Sequence, residues 1–478
     1  MNLVHNTSGL PARGRAIGVR TFSSLRLHNY RLWFIGQTIS QSGSWMQSLA
    51  QSWLVLTLTG SALDLGITVA LQFAPVLLFG TVGGLVAGRV NKRTALLVTQ
   101  TAFLIQSAVL SALLFTGVTR LWMVWVLASV YGLINVVDNP TRQIFVMEMV
   151  GREDLANAVA LNSVIVNASR IAGPAAAGVL IYALGFAWTF AANAATFVAV
   201  IAALVAMRTV ELHRAAPVRR ASGQIRAGLR YAWNTWELRV PLLMMAGVGT
   251  LSYNFSVIMP LLASRVFHHG AGTLSALTVA MGIGALGGGL FTAARRRPGY
   301  RLLVAVTLAF GLLTVAVAMA PTLIVALILL IPMGAASVSF IATGNSLLQL
   351  RSSGAMRGRV MGLWAIVFLG STPIGGPLTG FLAAHLGARV TLAIGGAAAV
   401  VAAGGAALVL RRIRAEEAVE ASAASASGSV GDECDGPETR CPGKPLPAGS
   451  LAPACGAGRA GEPLSVGAYR QPTQGPGR

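Results

Sequence analysis

Apolar residues in this chain come in runs of about 20, the length at which an α-helix crosses a hydrocarbon layer roughly 30 Å thick. The runs cover 31–58, 63–88, 94–116, 120–139, 155–183, 186–207, 240–262, 273–294, 302–319, 322–344, 358–385 and 389–410. Arginine, proline, or glycine with polar residues separates each from the next, so the pattern predicts twelve membrane-spanning helices. The gaps alternate in character. Arg89, Lys92 and Arg93 follow the second run, Arg142 and Arg152 the fourth, and Arg208, Arg214, Arg219, Arg220, Arg226, Arg230 and Arg239 the sixth. Arg295, Arg296, Arg297 and Arg301 follow the eighth run, and Arg351, Arg357 and Arg359 the tenth, whereas the intervening gaps hold only Arg120, Arg265 and Arg389. Lysine and arginine accumulate on the cytoplasmic side of a membrane protein. A multi-pass protein of the cytoplasmic (inner) membrane with both termini in the cytoplasm is therefore expected. No apolar stretch precedes Leu32, so no secretory signal is read at the N-terminus.

The runs form two sets of six. Gly173 and Pro174 recur as Gly376 and Pro377, and the same offset carries Lys92 to Arg295 and Gly84 to Gly287. The expected organisation is a cytoplasmic N-terminal segment (1–30), an N-terminal six-helix bundle (31–207), a basic cytoplasmic linker (208–239), a C-terminal six-helix bundle (240–410) and a disordered cytoplasmic tail (411–478) rich in Ala, Ser, Gly and Pro. Within the linker, 225–236 interleaves Arg with Leu, Tyr and Trp, as either an interfacial helix or a solvated segment would.

Composition narrows the function classes. Only 11% of residues are charged and 54% are hydrophobic, against about 25% charged in soluble proteins, so a soluble enzyme is excluded. The net charge of +21 sits in the gaps between runs and marks a membrane surface rather than nucleic acid. All three cysteines, Cys434, Cys441 and Cys455, lie in the tail, leaving no thiol in the apolar body. The histidines are scattered, His268 and His269 are adjacent rather than a helical turn apart, and no glycine-rich phosphate loop is present. No cofactor, metal or enzymatic activity is expected.

The candidate chemistry lies inside the runs. Gln37, Gln41, Ser44, Ser48 and Gln51 are spaced four, three, four and three residues apart and share one helix face. Tyr131, Asn135 and Asp138 repeat that spacing, as do Ser163, Asn167 and Arg170. A polar stripe cannot face lipid and must line water or a neighbouring helix. The lining alternative takes Gln37, Gln41, Ser44, Gln51, Tyr131, Asn135, Asn167, Arg170, Tyr253 and Asn254 as walls of a cavity. Arg170, mid-span, costs at least about 3 kcal/mol unless paired or wetted; it either ties a carbonyl or Asp138 across a helix interface or meets a substrate. Asp138 is the best candidate for a proton-coupling acid, against a reading in which Asp138, Asn139 and Pro140 end a helix. Small residues at helical spacing, Gly80 and Gly84, Gly173 with Pro174, Gly284 and Gly288, Gly376 with Pro377 and Gly380, mark close helix packing, either static or between moving halves.

Gly84, Ala87, Arg89, Lys92 and Arg93 resemble the loop signature of the major facilitator superfamily, Gly-x-Leu-Ala-Asp-Arg-x-Gly-Arg-Lys, with Gly88 in place of its Asp and Asn91 in place of its second Gly. Asp138, Pro140, Arg142 and Gln143, then Asn157, Asn162, Arg170, Gly173 and Pro174, and later Arg357 and Arg359, look like the enterobactin-exporter-like branch. The Gly-Pro element also resembles the motif of drug-exporting antiporters. The resemblance implies an all-α membrane protein of the major facilitator fold, with 12 transmembrane helices in two six-helix halves. It implies spans two, five, eight and eleven between the halves, spans one, four, seven and ten around the cavity, and Arg89, Lys92 and Arg93 as a gating loop. The implied activity is alternating-access export of an amphiphilic small molecule such as a siderophore, antibiotic or drug, with protons as the coupling ion. The expected partners are that substrate and the lipid bilayer, with no nucleic acid and a monomeric carrier. A lysophospholipid or other lipid flippase, and a non-transporting receptor or assembly factor of the same fold, are the alternatives.

The orientation is directly testable once Cys434, Cys441 and Cys455 are removed. Single cysteines at 60, 118 and 320 should react with a membrane-impermeant thiol reagent applied to intact cells, and cysteines at 92, 222 and 297 should not; the reverse pattern would invert the topology.

Overall fold

The computed structural model describes residues 23–151, 153–213, 224–295 and 299–429. Its α-helices, in chain order, are α1 (His28–Thr59), α2 (Ala62–Arg89), α3 (Lys92–Phe115), α4 (Leu121–Val150), α5 (Leu155–Ala206), α6 (Gln224–Asn234) and α7 (Trp236–Ser252). They continue as α8 (Phe255–Leu261), α9 (Ala271–Ala294), α10 (Tyr300–Ala318), α11 (Leu323–Arg351), α12 (Gly354–Leu386) and α13 (Ala388–Ser429). No strand occurs among the described residues.

Among the described residues, ten helical segments are long and apolar enough to cross a membrane, and their outward faces carry apolar side chains such as Leu78, Val179 and Val401, each at least 66% exposed. Two features reconcile ten with the twelve expected runs. α5 is 52 residues long, more than twice what a bilayer core needs, and it bends at Gly185, where φ is 84°. Glycine alone adopts that angle without a Cβ penalty. Its two arms match the runs 155–183 and 186–207. α1 is 32 residues long but falls outside the ten because its glutamines and serines lower its hydropathy. The run 240–262 is not one helix: α7 stops at Ser252, Tyr253 and Asn254 leave the helical register, and α8 continues into a π-helical turn at Leu262–Val266.

The helices pack through glycine. α2 lies on α4, where a Cβ on Gly83 would stand 1.9 Å from the Val136 carbonyl oxygen, and one on Gly132 2.3 Å from that of Gln72. α9 lies on α11, with Gly284 under the Ile331 carbonyl and Gly288 under that of Ala335. α5 lies on α1, with Gly173 against the Ser42 carbonyl, and on α9, with Gly178 beneath Ser275. α2 meets α12 where Gly66 faces the Gly376 carbonyl and Gly380 that of Ala62. Close packing is found at Gly173, Gly284, Gly288, Gly376 and Gly380, and Gly80 departs from it. Gly173 packs on α1, Gly284 and Gly288 pack on α11, and the Cβ position of Gly80 has no described atom within 4 Å. In α2 the close approaches are made by Gly66 and Gly83.

Near Gly60, α2 and α12 touch, and the Arg265 guanidinium donates to the Gly60 carbonyl. Toward the arginine-rich end, the Cβ positions of Gly80, Gly88, Gly358 and Gly362 meet no described atom within 4 Å. A turn at Ser23–Arg26 is tied to the start of α5: Ser23 Oγ donates to Asp154 at 2.7 Å and the Ser24 amide to Asn157 at 3.1 Å. Chain contacts define two units, Met1–Glu416 and Glu417–Arg478. α13 continues to Ser429, past the expected end of span twelve at 410; the expected tail from 430 onward, the N-terminal residues 1–22 and linker residues 214–223 lie outside the described residues.

A methyl group tests the packing directly. Gly284→Ala would place its Cβ 1.7 Å from the Ile331 carbonyl oxygen and should cost about 1–3 kcal/mol, read as a lowered melting temperature in detergent. Gly80→Ala, in open space, should leave the melting temperature unchanged or slightly raised.

Candidate functional site

A cavity of about 260 Å³ opens where α1, α2, α5, the break after α7, α8, α9, α11 and α12 converge. Its walls are largely apolar: Trp45 and Leu49 from α1, Phe73 from α2, Phe255 and Met259 from α8, Leu274 and Met281 from α9, Ile341 from α11 and Phe368 from α12. Hydroxyls from Ser48, Ser52, Ser256, Thr278, Ser337, Ser371 and Thr372 are interspersed. Two side chains dominate its chemistry, Arg170 and Tyr253.

Arg170 reaches the cavity because of what lies one turn further along α5. Pro174 has no N–H, so the Arg170 carbonyl lacks its helical donor and the helix is loosened there. α9 closes on this point through Gly282, whose absent Cβ would sit 3.3 Å from the Arg170 carbonyl oxygen, while Ser275 Oγ donates to the Pro174 carbonyl at 2.7 Å. The guanidinium lies over the Trp45 ring, 5.0 Å from its centroid, an attractive cation–π arrangement. Its Nε is buried with no hydrogen-bond partner. Tyr253 is delivered by the interruption between α7 and α8. Its hydroxyl donates to the Ser337 carbonyl at 2.5 Å and lies 2.7 Å from Ser337 Oγ; its ring packs 5.6 Å from Phe255 and 5.4 Å from Phe310.

Of the ten side chains expected to line a cavity, Arg170 and Tyr253 do so here. Gln37, Gln51 and Asn254 are buried in helix packing instead, and Asn254 donates to the Thr250 carbonyl at 2.7 Å beside Gly375. Asn135 and Asn167 donate to carbonyls of their own helices, those of Tyr131 and Ser163, at 3.0 and 2.8 Å. Ser44 bonds the Ser40 carbonyl and, with Asn135, adjoins Tyr131. Gln41 is half-buried and outside the lining. The aromatic walls were not singled out, since an apolar residue facing a cavity and one facing lipid look alike in sequence. A further polar cluster carries no spacing signal in the sequence: Gln47 donates to Gln106 at 3.1 Å, Asn193 donates to Gln47, and Asn193 reaches Ser107 at 3.2 Å, joining α1, α3 and α5 inside the body.

Asp138 does not face the cavity. It is fully buried against α3, accepting from Thr99 Oγ1 at 2.7 Å and Gln100 Nε2 at 2.8 Å, and it pairs with Arg142 one turn along α4. It neither ends its helix, which runs on through Pro140 to Val150, nor touches Arg170. In the basic loop, Asn91 caps α3, accepting from the Thr94 amide at 3.2 Å, a role the signature's glycine cannot fill. Arg93 donates to the Leu204 and Val205 carbonyls at 2.7 and 3.0 Å, closing the C-terminus of α5. Lys92 pairs with Glu148 at 3.8 Å, and Arg89 is exposed beside them on a second, more polar pocket.

Comparison with known proteins follows the same lines. The family described as transmembrane secretion effector matches residues 19–432. The staphyloferrin A transporter of Staphylococcus aureus is 25% identical over 52% of this chain and 61% of its own length. The enterobactin exporter of Citrobacter koseri is 27% identical over 56% and 64%, so this chain spans under two thirds of either. The multidrug efflux pump Tap of Mycolicibacterium fortuitum is 25% identical over 73% of this chain and 88% of its own. Among solved structures, a bacterial homologue of the human lysosomal transporter Spinster, in an inward-facing conformation, superposes with a TM-score of 0.64 at 14% identity, covering 84% of this chain and 98% of that one.

The Asp138–Arg142 pair makes a stability prediction. Asp138→Ala leaves Arg142 largely buried and unpaired and should cost about 3–5 kcal/mol, lowering the melting temperature in detergent. Adding Arg142→Leu should recover a good part of the loss, a non-additivity that a pair without mutual interaction would lack.

Proposed function

Because the chain belongs to the transmembrane secretion effector family of the major facilitator superfamily, we propose that it is a secondary active transporter that exports a small amphiphilic molecule by alternating access. The observation that carries this reading is the cavity, walled by α1, α2 and α5 on one side and α8, α9, α11 and α12 on the other. Near Gly60, α2 packs against α12 through Gly380, and the Arg265 guanidinium donates to the Gly60 carbonyl. In this reading two six-helix halves, 31–207 and 240–410, rock against each other in the cytoplasmic membrane. Both termini are cytoplasmic, and the conformation described is the one that loads from the cytoplasm. The contacts of Gly66 with Gly376 and of Gly178 with Ser275 are those that must part for release outside.

Aromatic and aliphatic walls with scattered hydroxyls suit an amphiphile, in keeping with relatives named for a siderophore or for multidrug efflux. Protons are the proposed coupling ion and Asp138 the proposed carrier. In this conformation Arg142, Thr99 and Gln100 hold its carboxylate. A movement of α4 against α3 that withdraws Thr99 and Gln100, together with a turn of the Arg142 side chain away from its i,i+4 partner, would let a proton take their place. Arg89, Lys92 and Arg93 form the proposed gating loop, and the carrier acts as a monomer.

Small molecules inside and outside cells with and without the protein identify the cargo: an amphiphile that accumulates inside only in its absence is expected, and equal pools overturn the reading. With that cargo in proteoliposomes, Asp138→Asn should still exchange substrate down its gradient but should fail to concentrate it under an imposed pH gradient. Full uphill transport by the variant would remove Asp138 from the coupling.

A further inference from the structure

The cavity holds a positive charge that no described protein group balances. None of the four ion pairs among the described residues includes Arg170, and no described acid lines the cavity. Arg170 makes no hydrogen bond to a described residue; its Nε is buried without a partner, and its guanidinium lies over the face of Trp45. The buried carboxylate of α4 and the hydroxyl pair of the cavity are engaged elsewhere. Asp138 is enclosed by Thr99, Gln100 and Arg142, and the Tyr253 and Ser337 hydroxyls are bonded to one another. A guanidinium whose Nε is buried and unpaired in a largely apolar cavity is costly, and a protein that keeps one there leaves its planar fork of donors free for a group with matching oxygens.

We propose that Arg170 is the recognition group for the acidic end of the substrate, so that the cavity selects amphiphilic organic anions, a carboxylate, sulfonate or phosphate borne on an aromatic or aliphatic body. The inference rests on the reading of this cavity as the substrate site. The acid meets the guanidinium edge in a two-pronged contact, and the body lies among Trp45, Phe73, Phe255 and Phe368. A cationic amphiphile would bring two like charges together in a poorly screened space, and a neutral one would leave the guanidinium unpaired. The substrate's charge thereby does in the cavity what no described side chain does, and the empty and loaded carriers differ by one balanced charge.

Anilinonaphthalene sulfonate and phenylnaphthylamine share an aromatic body and differ in the sulfonate, so they isolate the charge. Titrated by fluorescence into the full-length protein in nanodiscs, with empty nanodiscs subtracted, the sulfonate should bind saturably and about tenfold or more tighter than the neutral amine. Arg170→Gln should bring the sulfonate's affinity down to that of the amine. Arg170→Lys, which keeps the charge and loses the fork, should bind the sulfonate less tightly than the wild type but still in preference to the amine. Thermal melting of each variant establishes that it is folded, and if Arg170→Gln is not, the Lys variant decides. Equal affinities for the two probes in the wild type, binding of neither, or sulfonate binding indifferent to either substitution overturns the proposal. Counterflow of the sulfonate in proteoliposomes separates the two levels. Selective binding without counterflow defeats the carrier reading and keeps the anion site, whereas counterflow without charge preference keeps the carrier and defeats the anion site.

Discussion

Hydrocarbon supplies no hydrogen-bond partner, and that deficit places nearly every polar group in this protein. Backbone donors and acceptors are met inside helices, and side chains that cannot be met there turn inward to find each other. Gln47, Gln106, Asn193 and Ser107 do this across α1, α3 and α5; Asp138, Thr99, Gln100 and Arg142 do it across α3 and α4. Such clusters fix which faces of neighbouring helices meet, because any rotation strands a buried donor. The exposed faces, by contrast, carry Leu, Val and Ile, which specify nothing about neighbours.

Where polar pairing does not bring helices together, glycine does. Lipid tails are as apolar as a leucine side chain, so helix association gains little from hydrophobicity and draws on close van der Waals contact. The carbonyls of Val136, Ile331, Ala335 and Gly376 each lie where a side chain on the facing helix would otherwise begin. Contacts of this kind join α2 to α12 near Gly66 and Gly380, whereas Gly80, Gly88, Gly358 and Gly362 have open surroundings.

Much of this was legible in the sequence, and the boundary of legibility has physical causes. Spacing of apolar runs locates helix starts to within a few residues, including the division of α5 at Gly185, because hydrocarbon thickness sets a length, while α4 and α13 run on to Val150 and Ser429, well past the expected ends at 139 and 410. Spacing also groups Gln37, Gln41, Ser44 and Gln51 on one face, but a face can turn toward a cavity or toward a neighbour, and periodicity is the same in both cases. Gln37 and Gln51 took the second course. Asp138 shares a stripe with Tyr131 and Asn135, yet its carboxylate turns to α3, where Thr99 and Gln100 wait. Spacing pairs Gly80 with Gly84, yet the close approaches of α2 are made by Gly66 and Gly83, outside that stripe. The break at Tyr253 and Asn254 left no proline or glycine at the break itself, since Pro241 and Pro260 lie well to either side within α7 and α8. Arg170 stood out because a charge at mid-membrane is conspicuous on cost alone.

The proline one turn beyond Arg170 has a mechanical consequence. A helix resists bending chiefly through its ladder of hydrogen bonds, and the rung that would join residue 174 to the Arg170 carbonyl is missing. α5 is therefore most compliant at the turn that carries the guanidinium, and α9 bears on it from the side through Gly282 and Ser275. The charge rides on a flexural joint: whatever draws Arg170 toward the cavity also applies torque to the longest helix of the body, and a push from α9 swings the charge.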